Sequence, residues 1–441
     1  LSAPERLPQN RDVWRIAAPL IISNVSVPLL GMVDTGVTGH LDNAAYLGAV
    51  AIGGAVFSFL YTGVNFLRMG TTGMTAQAFG ANDSAAIRNS LGQALVVALL
   101  IATALLLLQQ PIKHFALQLL APDAAIAPFA NTYIGIRIWS APATLANYAL
   151  IGWFIGLQNA RIPLAIVLVT NAVNILLDLL FVVVLGMTVD GVALASVIAE
   201  FSGLAVGLTY AARELARHGG SWDVTRLTTP AAYTAFFAIN AHLFVRTIAL
   251  VSTLVFITAQ GARLGTLVLA ANAILMNLQL LLSFALDGLA HAAEALTGKA
   301  IGEKNKRALR QSVALTLRWS LGTAVAFSAL YVLAGPLFIR TLTDLPDVRE
   351  TAIRYLPWMV LSPLVSVWSF LYDGVFVGAT RAREMRDIML ASALLVFLPS
   401  WYLLQPLGNH GLWLAFTLFM AARGIGMHYY YERRVASDAE A

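Results

Sequence analysis

Residues 17–34 read AAPLIISNVSVPLLGMVD, an apolar run that ends on an acid, Asp34. A spanning helix needs about 20 mostly apolar residues, so this run is long enough to lie in a bilayer. An ionisable side chain there costs roughly 2.5–3.5 kcal/mol on insertion scales, which makes a functional role the first reading. A second acid, Asp178, lies inside LAIVLVTNAVNILLDLLFVVVLG, residues 164–186. Two such acids suggest a cation or proton site within a polytopic membrane protein. The plainer alternative is that Asp34 caps its helix near the interface. Asp178 suits that alternative less, having apolar residues on both sides.

The rest of the chain agrees with a membrane setting. Of its 441 residues, 59% are hydrophobic and 12% charged, with a mean hydropathy of +0.74. A soluble domain carries about 25% charged residues. Apolar segments lie near 12–38, 45–76, 87–110, 125–153, 161–186 and 190–214, then near 229–259, 265–297, 307–333, 349–378, 385–405 and 410–431. The longest polar break, RELARHGGSWDVTRLTTP at 213–230, separates the two sets. There is no cysteine, which excludes disulfides and thiolate metal sites, and the seven histidines show no metal-ligand spacing. No cofactor is expected. The N-terminal LSAPERLPQNRD is polar and the stretch after it is too long for a signal-peptide h-region.

Lys and Arg crowd the N-terminus, the breaks near 88, 161, 213–226, 299–310 and 381–386, and the C-terminus. The alternate breaks hold only Lys113, Arg263, Arg340 and Arg349. Positive charge marks the cytoplasmic side, so both termini should be cytoplasmic and the number of spans even. The net charge of +5 is therefore a topology signal, and no nucleic-acid partner is expected.

The two sets repeat. Gly80 matches Gly302, Arg88 matches Arg310 and Ser90 matches Ser312, all at an offset of 222 residues. The same offset lays GWFIGLQNAR, from Gly152, on GVFVGATRAR, from Gly374, and pairs Tyr133 with Tyr355. One constant offset over distant blocks is hard to obtain by chance in biased sequence. The fold expected is all-α and polytopic, with twelve transmembrane helices in two six-helix lobes, residues 1–218 and 219–441. An offset of six helices keeps both lobes in the same orientation, related by a pseudo-two-fold axis along the membrane normal.

With these motifs in place, the chain resembles the multidrug and toxic compound extrusion (MATE) transporters over essentially its whole length. The first helix carries PLIISNVSVPLLGMVDT, with Pro19 fifteen residues before Asp34. The second and eighth helices run into AQAFGAND and GKAIGEKN, the fourth and tenth end in GLQNARIP and GATRARE, and the fifth carries NAVNILLD. An acid on the first helix with Asn174 and Asp178 on the fifth is similar to the DinF-type branch. The NorM-type branch keeps its main acids on helices seven, eight and ten. This chain has Asp287 and Glu294 on the eighth and Asp373 on the tenth, but none within the seventh. The resemblance implies an antiporter, not an enzyme, in a bacterial-type inner membrane. It would export cationic or amphipathic drugs against H⁺ or Na⁺ through a cleft between lobes, and a monomer is expected. It also implies a first helix that bends at Pro19, and a supporting or substrate-binding role for Tyr133, Asn147 and Ser196.

Residue chemistry gives the cluster its logic. Asn174 and Asp178 are four apart and share a helix face. Asn174 can donate to a carboxylate or accept from a protonated one. Two carboxylates in low dielectric behave as one coupled unit that holds a proton. Na⁺ on the oxygens of Asp34, Asn174 and Asp178 is the alternative to H⁺. At the offset of 222, Asp34 corresponds to Phe256, Asn174 to Val396 and Asp178 to Ser400, so the cluster belongs to the first lobe alone. Bland readings stand beside each. Ser196 in VALASV could be a small packing residue, Tyr133 an interfacial anchor, and Pro19 and Pro28 sites of static kinks. Tyr133 and Asn147 are fourteen residues apart, about 21 Å along an ideal helix, and meet one site only if the helix bends. Asp373 reads as a salt partner of Arg381, Arg383 and Arg386, and Arg246 pairs in outline with Asp287. A competing reading is a lipid-linked precursor flippase of the same superfamily, which should want arginines in its cavity. Deep arginines are present at Arg68, Arg137, Arg246, Arg318 and Arg423.

Overall fold

The computed structural model describes residues 7–39, 43–219 and 221–436, and not the side chains of residues 29, 30, 34 and 35. The described residues are all-α. Helix α1 (Asn10–Gly39) runs on through Pro19 and Pro28. Next come α2 (Ala44–Val64) and α3 (Phe66–Gly80), which meet at Asn65, then α4 (Ser84–Leu107) and a short α5 (Gln109–Leu120). Helices α6 (Ala127–Arg137) and α7 (Ala141–Gly156) are joined by a 3₁₀ turn, Ile138–Ser140. Helix α8 (Arg161–Asp178) continues as a π-helical stretch, Leu179–Val184, and is followed by α9 (Val189–His218) and the short α10 (Val224–Thr228). The remainder holds α11 (Thr234–Arg263), α12 (Thr266–Gly302), α13 (Lys306–Leu342), α14 (Pro346–Gly378), α15 (Ala382–Ala391), α16 (Leu398–Leu404) and α17 (Asn409–Tyr430).

Among the described residues, ten helices are long and apolar enough to cross a membrane by length and composition. The two other segments read from the sequence are also helical: α6–α7 and α17. They carry Asn131, Arg137 and Asn147, and His410, Arg423 and His428, which dilute their hydropathy.

The internal repeat holds in local geometry. Before α4, Asn82 adopts a left-handed φ of 53° and Asp83 caps the helix by accepting from the Ala86 amide at 2.9 Å. At the same offset, Lys304 has φ 53° and Asn305 accepts from the Ala308 amide at 2.9 Å before α13. Each cap contributes about 1 kcal/mol. Gln158 and Thr380 form a second left-handed pair, with φ 60° and 55°. The helix contacts repeat as well. A Cβ on Gly152 would run into the carbonyl oxygen of Arg68, and one on Gly374 into that of Ala290. Gly156 lies on Thr72 as Gly378 lies on Glu294. All four pairs keep the offset of 222. Only glycine permits so close an approach of α7 to α3, and of α14 to α12.

By compactness the chain forms two units. The first is Ile22–Phe236; the second joins the residues up to Ile21 to those from Phe237 onward. This division differs from a cut between residues 218 and 219 for a physical reason. Arg88 on α4 donates to the carbonyls of Gly219, at 2.5 Å, and Leu215. Gln93 on the same helix donates to the carbonyl of Ala232 at 3.1 Å. The polar break thereby packs on α4. In the second unit, Trp14 on α1 meets Trp319 on α13 edge-to-face at 5.1 Å, and Trp319 donates to Asn10 at 3.0 Å. In the first unit, Asn171 on α8 donates to the Ser26 hydroxyl on α1 at 3.1 Å.

Candidate proton-coupling site

The sequence places Asn174 and Asp178 one turn apart on α8, and the fold buries both, at 2% and 0% exposure. Asn174 donates its amide to the Ser196 hydroxyl on α9 at 3.2 Å. Ser196 is therefore a hydrogen-bonding member of the cluster as well as a small packing residue. Asp178 ends the regular part of α8, where the backbone widens into the π-helical stretch. Such widenings are frequent at functional positions. The backbone of Asp34 lies within α1, but its side chain lies outside the described residues.

Asn147 on α7 leads to an acid that the sequence reading passed over. Its amide donates both to the backbone carbonyl of Glu200, at 3.1 Å, and to the Glu200 carboxylate, at 3.0 Å. Glu200 lies on α9 one turn after Ser196. Gly203 follows on the same helix, and a Cβ there would press on Asn147 and Thr170. The signal for Glu200 was the one used for Asp34 and Asp178, an acid inside an apolar run: VALASVIAEFSGLAVGL, residues 192–208.

Tyr133 is fully buried among Ala49, Val50, Phe57 and Ile134, so it is no interfacial anchor. Its hydroxyl accepts from Arg137, whose guanidinium also lies 5.2 Å from the Phe57 ring centroid. The 3₁₀ turn at Ile138–Ser140 supplies the break that the Tyr133–Asn147 separation demanded. Tyr61 on α2 bonds Ser140 in that turn at 3.0 Å.

The second unit holds a different charge cluster. Asp373 on α14 receives both Arg246 of α11 and Arg423 of α17, the latter at 2.9 Å. This corrects two readings. Asp373 does not serve the basic run 381–386, and Arg246 is bound to Asp373 instead of Asp287. Arg381 and Arg386 have nearer acids, Glu384 and Asp387. Arg423 also lies 5.5 Å from the Phe419 ring. Of the other deep arginines, Arg318 is exposed, while Arg68 is partly buried and bonds Asn65 at 3.4 Å. Among the described residues, no group of three His, Cys, Asp or Glu could hold a metal ion.

Comparison with known proteins places these features. The MatE family profile matches residues 19–180 and 243–403, once in each half of the chain. DNA damage-inducible protein F of Escherichia coli strain K12 is 42% identical over 418 residues, covering 95% of this chain and 91% of that protein. The probable multidrug resistance protein NorM of Rhizobium meliloti is 24% identical, covering 95% of this chain and 92% of its own length. A crystal structure of a MATE protein in the bent conformation superposes with a TM-score of 0.88 at 17% identity, covering 98% and 96% of the two chains. One in the straight conformation gives 0.86 at 18%, covering 98% and 97%. At such identity these two structures speak for the fold. From the profile across both halves and the 42% identity to a bacterial relative, the chain belongs to the MATE family of secondary transporters, in its DinF-type branch, and is a multi-pass membrane protein and not an enzyme.

Proposed function

We propose that the protein is a multidrug efflux antiporter that exports cationic or amphipathic small molecules in exchange for H⁺. MATE transporters use cation gradients; here the proton is carried by Asp34 and Asp178, with Asn174 and Ser196 holding the site. The observation that carries this reading is Asp178, wholly buried in an apolar span with an amide one turn away that can donate or accept. A carboxylate so placed in lipid needs a proton or a cation to be tolerated. Na⁺ at the same oxygens is the less favoured alternative. In the full reading, α6–α7 and α17 join the ten apolar helices to give twelve spans. These form two six-helix lobes of the same orientation, residues 1–218 and 219–441, with both termini cytoplasmic. Transport of a cationic dye in proteoliposomes, with H⁺ and Na⁺ gradients imposed one at a time and the voltage clamped, tests the coupling. Efflux that follows Na⁺ at constant pH overturns it.

A flippase for lipid-linked precursors remains as the second reading because two guanidiniums share one carboxylate at Asp373, a net positive charge suited to an anionic headgroup. Movement of a labelled polyprenyl phosphate, without dye efflux, would decide for it.

A further inference from the structure

Glu200 lies between Ala199 and Phe201 in a helix apolar enough to cross a membrane, Val189–His218. Its carboxylate and its backbone carbonyl are both held by Asn147, at 3.0 and 3.1 Å. One turn back on α9, Ser196 accepts from Asn174 at 3.2 Å, and one turn on along α8 lies Asp178. Buried Asp178 and partly buried Glu200 thus each have an asparagine beside them, and a serine stands between the two pairs. We infer that Glu200 is a second proton-binding site of the transporter, linked to Asp178 through Ser196 and Asn174, so that two protons enter for each substrate exported. This rests on the reading that protons drive transport through Asp178.

The charges around Glu200 support exchange over a fixed ion pair. Helix α9 packs against α8, α6, α7 and α2. Helix α8 brings Asp178 in its interior and Arg161 at its far end; α6 brings Arg137 and Tyr133. Helix α7 brings Tyr148, and α2 brings Tyr46 and Tyr61. On α9 itself, Asp190 lies at the start, and Tyr210, Arg213, Glu214, Arg217 and His218 lie toward the far end. Arg137 is the cation that acts on Glu200, and it also bonds the Tyr133 hydroxyl. Arg68 bonds Asn65 and acts on Tyr148. A carboxylate in low dielectric whose nearby guanidinium is shared with the Tyr133 hydroxyl is able to load and release a proton. Asparagine suits both states, since its amide donates to a carboxylate and its carbonyl accepts from a carboxylic acid. At the offset of 222, Glu200 corresponds to Ala422 and Arg137 to Met359, so the repeated helices are also built without these charges.

Infrared pH-difference spectra of the full chain reconstituted in lipid would test this. Wild type should show two protonated-carboxyl carbonyl bands that vanish as pH rises. Glu200→Gln should lack one and Asp178→Asn the other, and Glu200→Asp should restore the first. A Glu200→Gln spectrum equal to wild type overturns the inference. Loss of a band in Glu200→Gln but none in Asp178→Asn keeps the Glu200 site and overturns the Asp178 reading. The same variants in proteoliposomes at zero voltage should differ in the limiting gradient of the cationic dye ethidium. One pH unit supports ~100-fold accumulation with two protons and ~10-fold with one, since each pH unit is about 1.36 kcal/mol per proton. A purely structural role for Glu200 would slow the approach to that limit without moving it, and an unmoved limit in Glu200→Gln overturns the inference.

Discussion

Asp178 and Asp373 are acids inside apolar helices, and they are held in opposite ways. Asp178 sits with an amide and a hydroxyl in its neighbourhood, whereas Asp373 is gripped by Arg246 and Arg423. Neutralising them should therefore have opposite effects. Asp178→Asn, and equally Asp34→Asn, is expected to insert and fold with stability held or raised, because the buried acid no longer has to be desolvated. Efflux should be lost; full drug resistance in cells expressing either variant would remove that acid from the mechanism. Asp373→Asn leaves two guanidiniums facing each other, and breaking a buried ion cluster in this way costs about 3–5 kcal/mol. A thermal melt of the purified variant in detergent should show the loss, and an unchanged melting temperature would contradict it. The first kind of acid was legible in the sequence because its signal is local: an acid in an apolar run with an asparagine four residues back. Glu200 lies in an apolar run too, but with Ser196 four residues back in place of an asparagine, and was passed over. The Asp373 cluster was not legible, since its partners lie 127 and 50 residues away and no periodicity joins them.

Most helix boundaries were readable to within a few residues where apolar periodicity was long, although α13 runs on to Leu342, past the expected end near 333. Breaks within helices were not. The 3₁₀ turn at Ile138–Ser140 was demanded only indirectly, by the distance between Tyr133 and Asn147. The π-helical stretches were invisible. One follows Asp178 at Leu179–Val184, and another, Ser392–Phe397, precedes Ser400. A widened turn shifts which face later residues present. Positions 178 and 400 therefore match in number without matching in facing. For α1, the division between units falls between Ile21 and Ile22, just past Pro19. Proline lacks the donor that the Arg15 carbonyl would otherwise receive, so bending there sacrifices little. Low-pH and high-pH structures are expected to differ mainly between Pro19 and Asp34. Pro19→Ala should stiffen the helix and slow export while leaving substrate binding intact. Identical helix geometry at both pH values, with unimpaired transport in Pro19→Ala, would exclude the bending mechanism.

For the whole molecule, the repeat was the strongest inference available from sequence, and its local geometry reproduces it at helix caps, left-handed residues and glycine contacts. Charges break that symmetry, because Asp34, Asp178 and Glu200 of the first unit face Phe256, Ser400 and Ala422 in the alignment while Arg246, Asp373 and Arg423 have Asn24, Ile151 and Phe201 as counterparts. A transporter driven by the first unit's acids should respond to the pH gradient. Collapsing that gradient at clamped voltage is expected to stop efflux, with Na⁺ making no difference. The voltage must be fixed because it supplies about 2.3 kcal/mol per charge per 100 mV.

The paired glycines also make this chain a probe of its own unfolding. Gly152 and Gly374 press on the carbonyls of Arg68 and Ala290, so a methyl at either place forces one helix pair apart within one unit. Overpacking of this kind typically costs 1–3 kcal/mol. Because the two lesions are chemically alike and lie in different units, they distinguish cooperative from stepwise denaturation. Each unit has its own core, and melting in two stages is expected, with Gly152→Ala lowering one stage and Gly374→Ala the other. A single transition displaced equally by both would mean that the duplicated halves, though built on separate cores, come apart as one.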